Sequence, residues 1–193
     1  MGTTHSALKL YTAQTEAVCG VLLRDGVCFS REEYVAKKYG EAAPGFLTAY
    51  RWFAREAPRL VPRQEGAQLP YWASADLYSV EASGPSRVLT LEVPRDQAVL
   101  FDLYDWNRVL QLGYLGEDEA DTRAFRRELT LRGLREYDVM TGSFYPELRQ
   151  AIETSWQRLF RRHAALLSGD RSGVGGVQAA LWCIRKEWIV DLR

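Results

Sequence analysis

Histidine is nearly missing from these 193 residues: only His5 and His163 are present. Three cysteines, Cys19, Cys28 and Cys183, stand far apart and form no CxxC pair. These scarcities argue against a zinc site and against a Ser/His/Asp or Cys/His catalytic arrangement, and for thiols that stay reduced. Net charge is missing as well, because 25 Lys and Arg balance 25 Asp and Glu. No global field therefore draws in nucleic acid or an anionic membrane, although a local basic patch survives such cancellation. No stretch approaches the ~18 uninterrupted apolar residues of a membrane span. No apolar run follows a basic patch at the start, so no signal peptide is expected, and the expectation is a cytoplasmic protein without membrane contact. The glycines of 173–176 lack the Lys-Ser/Thr of a phosphate loop and precede a strand, so 168–176 reads as a flexible connector.

What is present is core material. Hydrophobic residues make up 47% of the chain, with six Trp and ten Tyr, which excludes disorder. A compact chain of this length buries roughly 70% of the surface its unfolded form exposes, enough for one unstapled core. The expected organisation is a tail over 1–7 and a single α+β domain over 8–193, a mixed sheet with packed helices. Strand alternation marks 8–14, and Thr15 caps a helix over 16–25 that Gly26 closes. Ser30 and Glu33 have capping-box spacing for the next helix. The stripe Phe46, Leu47, Tyr50, Phe53, Ala54, Ala57 predicts a helix over 46–57. Strands are expected near 69–75, 87–93 and 98–101, then a helix capped by Asp102 or Asp105 and another over about 120–136. Pro146 opens the clearest helix, with Ser143 as its cap, whose stripe Leu148, Ile152, Trp156, Leu159, Phe160 puts Trp156 in the core. Val177 to Ile184 and Trp188 to Leu192 read as closing strands.

Two groups of residues carry possible chemistry. Glu92, Asp96, Asp102 and Asp105 surround one strand pair, and paired carboxylates can hold Mg²⁺ or share a proton. Asp102 and Asp105 also stand where helix caps belong and Asp96 in a turn; that reading outweighs a metal, and none is expected. Tyr71-Trp72-Ala73-Ser74 places two aromatics on opposite faces of a strand. One can be core while the other lines a cleft, where a ring beside a hydroxyl suits a base or a nicotinamide.

Leu10-Tyr11-Thr12-Ala13-Gln14, Ala49-Tyr50-Arg51-Trp52 and Leu69-Pro70-Tyr71-Trp72-Ala73 fall in one order along the chain. Leu91-Glu92-Val93-Pro94, Val99-Leu100-Phe101-Asp102, Ser155-Trp156-Gln157-Arg158-Leu159-Phe160 and Val177-Gln178-Ala179 continue it. Together they resemble the bacterial family catalogued as domain of unknown function 3841, whose name records no activity. The order of elements is also similar to ADP-ribosyltransferase-type domains. That likeness implies NAD as ligand, Thr12 or Gln14 at the nicotinamide ribose, Tyr71, Trp72 or Ser74 on a middle strand, and Gln178 in the place of the catalytic acid. A glutamine supplies only a dipole where a carboxylate would stabilise the cationic sugar. Glu92, Glu147 or Glu153 would then have to substitute, or the pocket binds without turnover.

Three readings stay open. The first is an NAD-utilising transferase or glycohydrolase of toxin or phage-defence type, with Gln14, Tyr71 and Gln178 converging on one cleft. The second is a non-catalytic module whose aromatic cleft holds a nucleotide or a flipped base. The third is a partner-binding protein with no deep polar pocket.

Overall fold

The structure, a computed structural model, describes residues 7–80 and 84–193. All but Ala7 of the expected tail, His5 included, lies outside the described residues. Strand β1 (Leu8–Thr15) buries Leu10 and Thr12. Thr15 ends it and caps α1 (Glu16–Asp25), accepting from the Val18 N–H at 3.4 Å. Gly26, left-handed at φ 79, closes that helix on the Leu22 carbonyl. After β2 (Val27–Cys28) comes α2 (Glu32–Tyr39), which Ser30 does not cap. Ser30 is drawn instead into an extended bridge with Leu69, whose N–H donates to its carbonyl, so Arg31 takes the cap position without a side-chain bond. In α3 (Ala43–Glu56) Pro44 sits in the first turn, where its missing N–H costs nothing, and the helix starts earlier than the apolar stripe predicts.

Strands β3 (Tyr71–Ser74), β4 (Ser86–Val93) and β5 (Ala98–Asp102) follow. Asp102 caps α4 (Leu103–Leu110), accepting from the Tyr104 and Asp105 N–H groups. The single helix expected over 120–136 is two, α5 (Glu119–Leu131) and α6 (Glu136–Thr141), broken where Gly133 turns left-handed at φ 69. Then come α7 (Pro146–Ser155), preceded by Tyr145 rather than Ser143 as the cap residue, and a tighter 3₁₀ continuation over 156–160. Helix α8 (His163–Leu167), β6 (Val177–Leu181), β7 (Ile184–Arg185) and β8 (Ile189–Leu192) complete the chain.

The order in the main sheet is β5-β6-β3-β1-β4-β8, and β2 pairs with β7 in a small second sheet. The α+β class and the packed helices hold, but every pairing is antiparallel rather than mixed. The long helical connection from β5 returns the chain as β6 in the opposite direction beside it, which needs no parallel crossover.

Alternation divides the sheet between two cores. Leu10, Tyr71, Ala73, Leu89, Leu91, Leu100 and Ala179 meet Cys19 and Leu22 of α1, Cys28 and Trp188. On the other face Val99, Phe101 and Ala180 meet the helices through Trp52, Phe53, Trp106, Trp156 and Phe160. This helical core takes none of the described residues of β1, β4 or β8. Trp156 is fully buried, as its stripe requires, and its Nε1–H donates to the Gly113 carbonyl at 2.7 Å. Trp52 lies between it and Phe160, edge-on to the first at 5.2 Å and stacked on the second at 5.5 Å.

Candidate ligand-binding site

Strands β1, β3 and β6 are neighbours, and register decides what they present. Tyr11 pairs with Ser74, Ser74 with Gln178, and Gln178 with Phe101. Cross-strand partners share a face, so these four form one row on the helical side of the sheet. Thr12, Gln14 and Tyr71 alternate to the other side. Gln14 and Gln178 therefore do not converge, and the single cleft with Tyr71 expected from sequence does not form. An offset of one residue between strands is enough to separate them, and nothing within a single strand reveals it.

Each residue on that other face is already engaged. Thr12 Oγ1 donates to the Trp72 carbonyl and accepts from Gln14 Nε2, both at 2.8 Å. This chain ties β1 to β3 where their ladder has only one paired position. The Tyr71 hydroxyl lies 3.0 Å from the Cys28 thiol in the second core, and burial pushes its phenol well above the ordinary range. The three cysteines are free and buried, and burial raises the Cys19 and Cys183 thiols.

On the helical face Ser74 is buried; its Oγ donates to the Val177 carbonyl at 3.4 Å and accepts from the Asp76 N–H at 3.1 Å. Beside it, Oε1 of Gln178 is buried with no hydrogen-bond partner. Trp72 is the diagonal neighbour, since it pairs with Ala180. Its ring packs against Tyr50 at 5.0 Å, Phe53 at 5.1 Å and Trp106 at 4.5 Å.

None of the acids weighed as substitutes reaches Gln178. Glu92 is exposed opposite Lys9 on β4, three strand spacings from β6, roughly 14 Å away. Glu147 is exposed, and Glu153 is held by Arg55 and Arg149. Asp102 is used in structure, since its second oxygen accepts from the Gly175 N–H at 2.8 Å. That bond, with Arg162 on the Ser172 carbonyl and Arg171 on Asp76, tethers the glycine-rich connector. Gly175 also lies directly beneath the Tyr104 ring, where a side chain would collide. Asp105 is half-buried, and burial raises its carboxyl against the pull of Arg158. Among the described residues no three His, Cys, Asp or Glu side chains gather to hold a metal, and no helix is long and apolar enough to cross a membrane.

Sequence reasoning singled out Ser74 and Gln178 separately but missed Tyr11 as their neighbour, because only pairing brings it to them. The family model described as Domain of unknown function (DUF3841) matches residues 9–190. No curated protein and no solved structure matches the chain.

Proposed function

The chain belongs to the DUF3841 family, and we propose that it is a nucleotide-binding domain that holds an amide-bearing ligand, NAD foremost, without cleaving it. One observation carries the reading: the buried, unpartnered Oε1 of Gln178. Leaving a buried carbonyl unpaired costs about 1–3 kcal/mol, and a ligand N–H that meets it removes that cost. The carboxamide of nicotinamide supplies such an N–H, and the Trp72 ring beside it supplies an apolar wall. The adjacency of β1, β3 and β6 brings Tyr11, Ser74 and Gln178 into one row. Breaking the nicotinamide–ribose bond builds positive charge on the sugar, and a glutamine dipole stabilises that charge far less than a carboxylate.

The contact set proposed is Gln178, Ser74, Trp72 and Tyr11, with Thr12, Gln14, Tyr71 and Glu92 outside it. Thermal-shift titrations with NAD, nicotinamide and ADP-ribose test this. At a hundred times its dissociation constant a ligand adds about 2.7 kcal/mol, or roughly 5–10 °C for a chain of this size. NAD and nicotinamide are expected to stabilise the native protein, ADP-ribose less so, and Gln178→Met to lose the nicotinamide effect. Equal shifts in both proteins, or none with any ligand, would overturn the reading. Gln178→Glu is expected to gain NAD hydrolysis that the native chain lacks.

A further inference from the structure

A hollow lies away from Gln178, at the opposite end of the β5–β6 pair. We infer that it is a phosphate-binding site for a small phosphomonoester. The cavity, about 500 Å³, opens between the segment 60–64 that follows α3, the turn 95–97 before β5, and α8. Its distance from the proposed nicotinamide contact follows from register: Ala98 pairs with Leu181 here, whereas Phe101 pairs with Gln178, three residues or roughly 10 Å along the strands.

Hydrogen-bonding capacity in this hollow is lopsided. His163 Nδ1 accepts the Leu100 N–H at 3.0 Å, a bond only an unprotonated nitrogen can make, so the ring proton resides on Nε2. No described group accepts from that Nε2–H. The same bond covers the edge of β5, which fixes the ring in place. Gln64 Nε2 donates to Gln97 Oε1 at 2.8 Å, and this orients the Gln97 amide with its NH₂ group still to be satisfied. Gln64's own oxygen is taken by Cys183 and Arg185. Arg95 lines the wall, anchored through the Leu167 carbonyl. Arg63 lines it too and pairs with no carboxylate among the described residues, although most arginines of this chain do. Against these donors stands one acid, Asp96.

The Arg63 guanidinium, an amide NH₂ and an imidazole N–H together select an oxyanion, and the planar fork of arginine matches phosphate geometry in particular. The volume exceeds what an ion alone fills and falls within the range of small-ligand pockets, and Leu60, Pro62 and Leu167 offer an apolar wall for an organic body.

The test uses the full chain at constant ionic strength, titrated with sodium chloride, inorganic phosphate and ribose 5-phosphate. Thermal shift and the His163 imidazole resonances are the two readouts. Phosphate is expected to stabilise the protein where chloride does not and to move the Nε2–H signal, and ribose 5-phosphate to bind at least tenfold more tightly. Arg63→Ala, at an exposed position with no partner among the described residues, is expected to weaken binding at least tenfold with an unchanged melting temperature in the absence of ligand. Gln97→Leu provides the same loss from a second wall. Phosphate acting no better than chloride, or binding unchanged in Arg63→Ala, overturns the site. Equal affinity for phosphate and ribose 5-phosphate overturns the phosphomonoester.

Discussion

Replacing Trp156 with alanine removes a fully buried indole at the meeting point of α3, α4 and the 3₁₀ turn after α7. Truncating a buried aromatic costs about 3–5 kcal/mol through lost transfer energy and the cavity left behind. Here two further losses attach to the same ring: the edge-on contact with Trp52 and the bond to the Gly113 carbonyl. A buried carbonyl stripped of its donor costs about 1–3 kcal/mol. The terms overlap, because the new cavity admits water to that carbonyl, so a loss of about 5 kcal/mol is expected. That rivals the whole stability of an ordinary domain, about 5–15 kcal/mol, and corresponds to roughly 10–20 °C in melting temperature. Circular dichroism is the suitable probe, since six tryptophans blur any fluorescence signal. Trp156→Phe keeps most of the ring but loses the N–H, and about 1–2 kcal/mol is expected of it. A Trp156→Ala protein melting within 2 °C of the native one, on the order of 1 kcal/mol or less, would refute the packing argument.

Two other perturbations follow from charge. Glu136 accepts from Arg108 at 2.5 and 2.6 Å and from the Tyr114 N–H at 2.9 Å, with both side chains mostly buried. Glu136→Gln turns an amide NH₂ toward the guanidinium, and urea melts are expected to show a loss of about 2–3 kcal/mol, discounted from a fully buried pair. Asp105 has a carboxyl raised by burial, so between its unfolded value near 3.8 and its folded value the native state holds more protons. Its contribution to stability is therefore fully present at low pH and is lost as pH rises through the folded value. Asp105→Asn should raise the melting temperature at pH 7 and leave it unchanged below pH 3.8; the opposite order in a pH series of melts would contradict that sign.

Local chemistry was legible in the sequence wherever one segment decides its own form. Thr15 and Gly26 delimit α1 through their own side chain and backbone, and Asp102 caps α4 the same way. The stripe that puts Trp156 in the core needed only its spacing. Where a distant segment competes, the sequence misleads: Ser30 is taken by Leu69 before it can cap α2. The site failed for the same reason on a larger scale. Alternation correctly sets Tyr11 against Thr12, but which of them shares a face with Gln178 depends on pairing through Ser74. That offset is a property of three strands at once, fixed by which cores they must feed, and no strand alone encodes it.

The place of β6 between β5 and β3 has a consequence for synthesis. The ribosome delivers β3 and β5 early, but the strand that joins them only after α4 to α8 have emerged. At ~5–20 residues per second the stretch from Leu103 to Gly176 takes several seconds. Through that interval the facing edges of β3 and β5 stand unpaired, as does the edge of β4 that β8 later covers, each able to recruit another nascent chain. The gap between β3 and β5 closes only when Val177 to Leu181 slides between them, so a chain stalled short of Val177 should fall readily to a protease and to edge-binding chaperones. The finished protein should resist both.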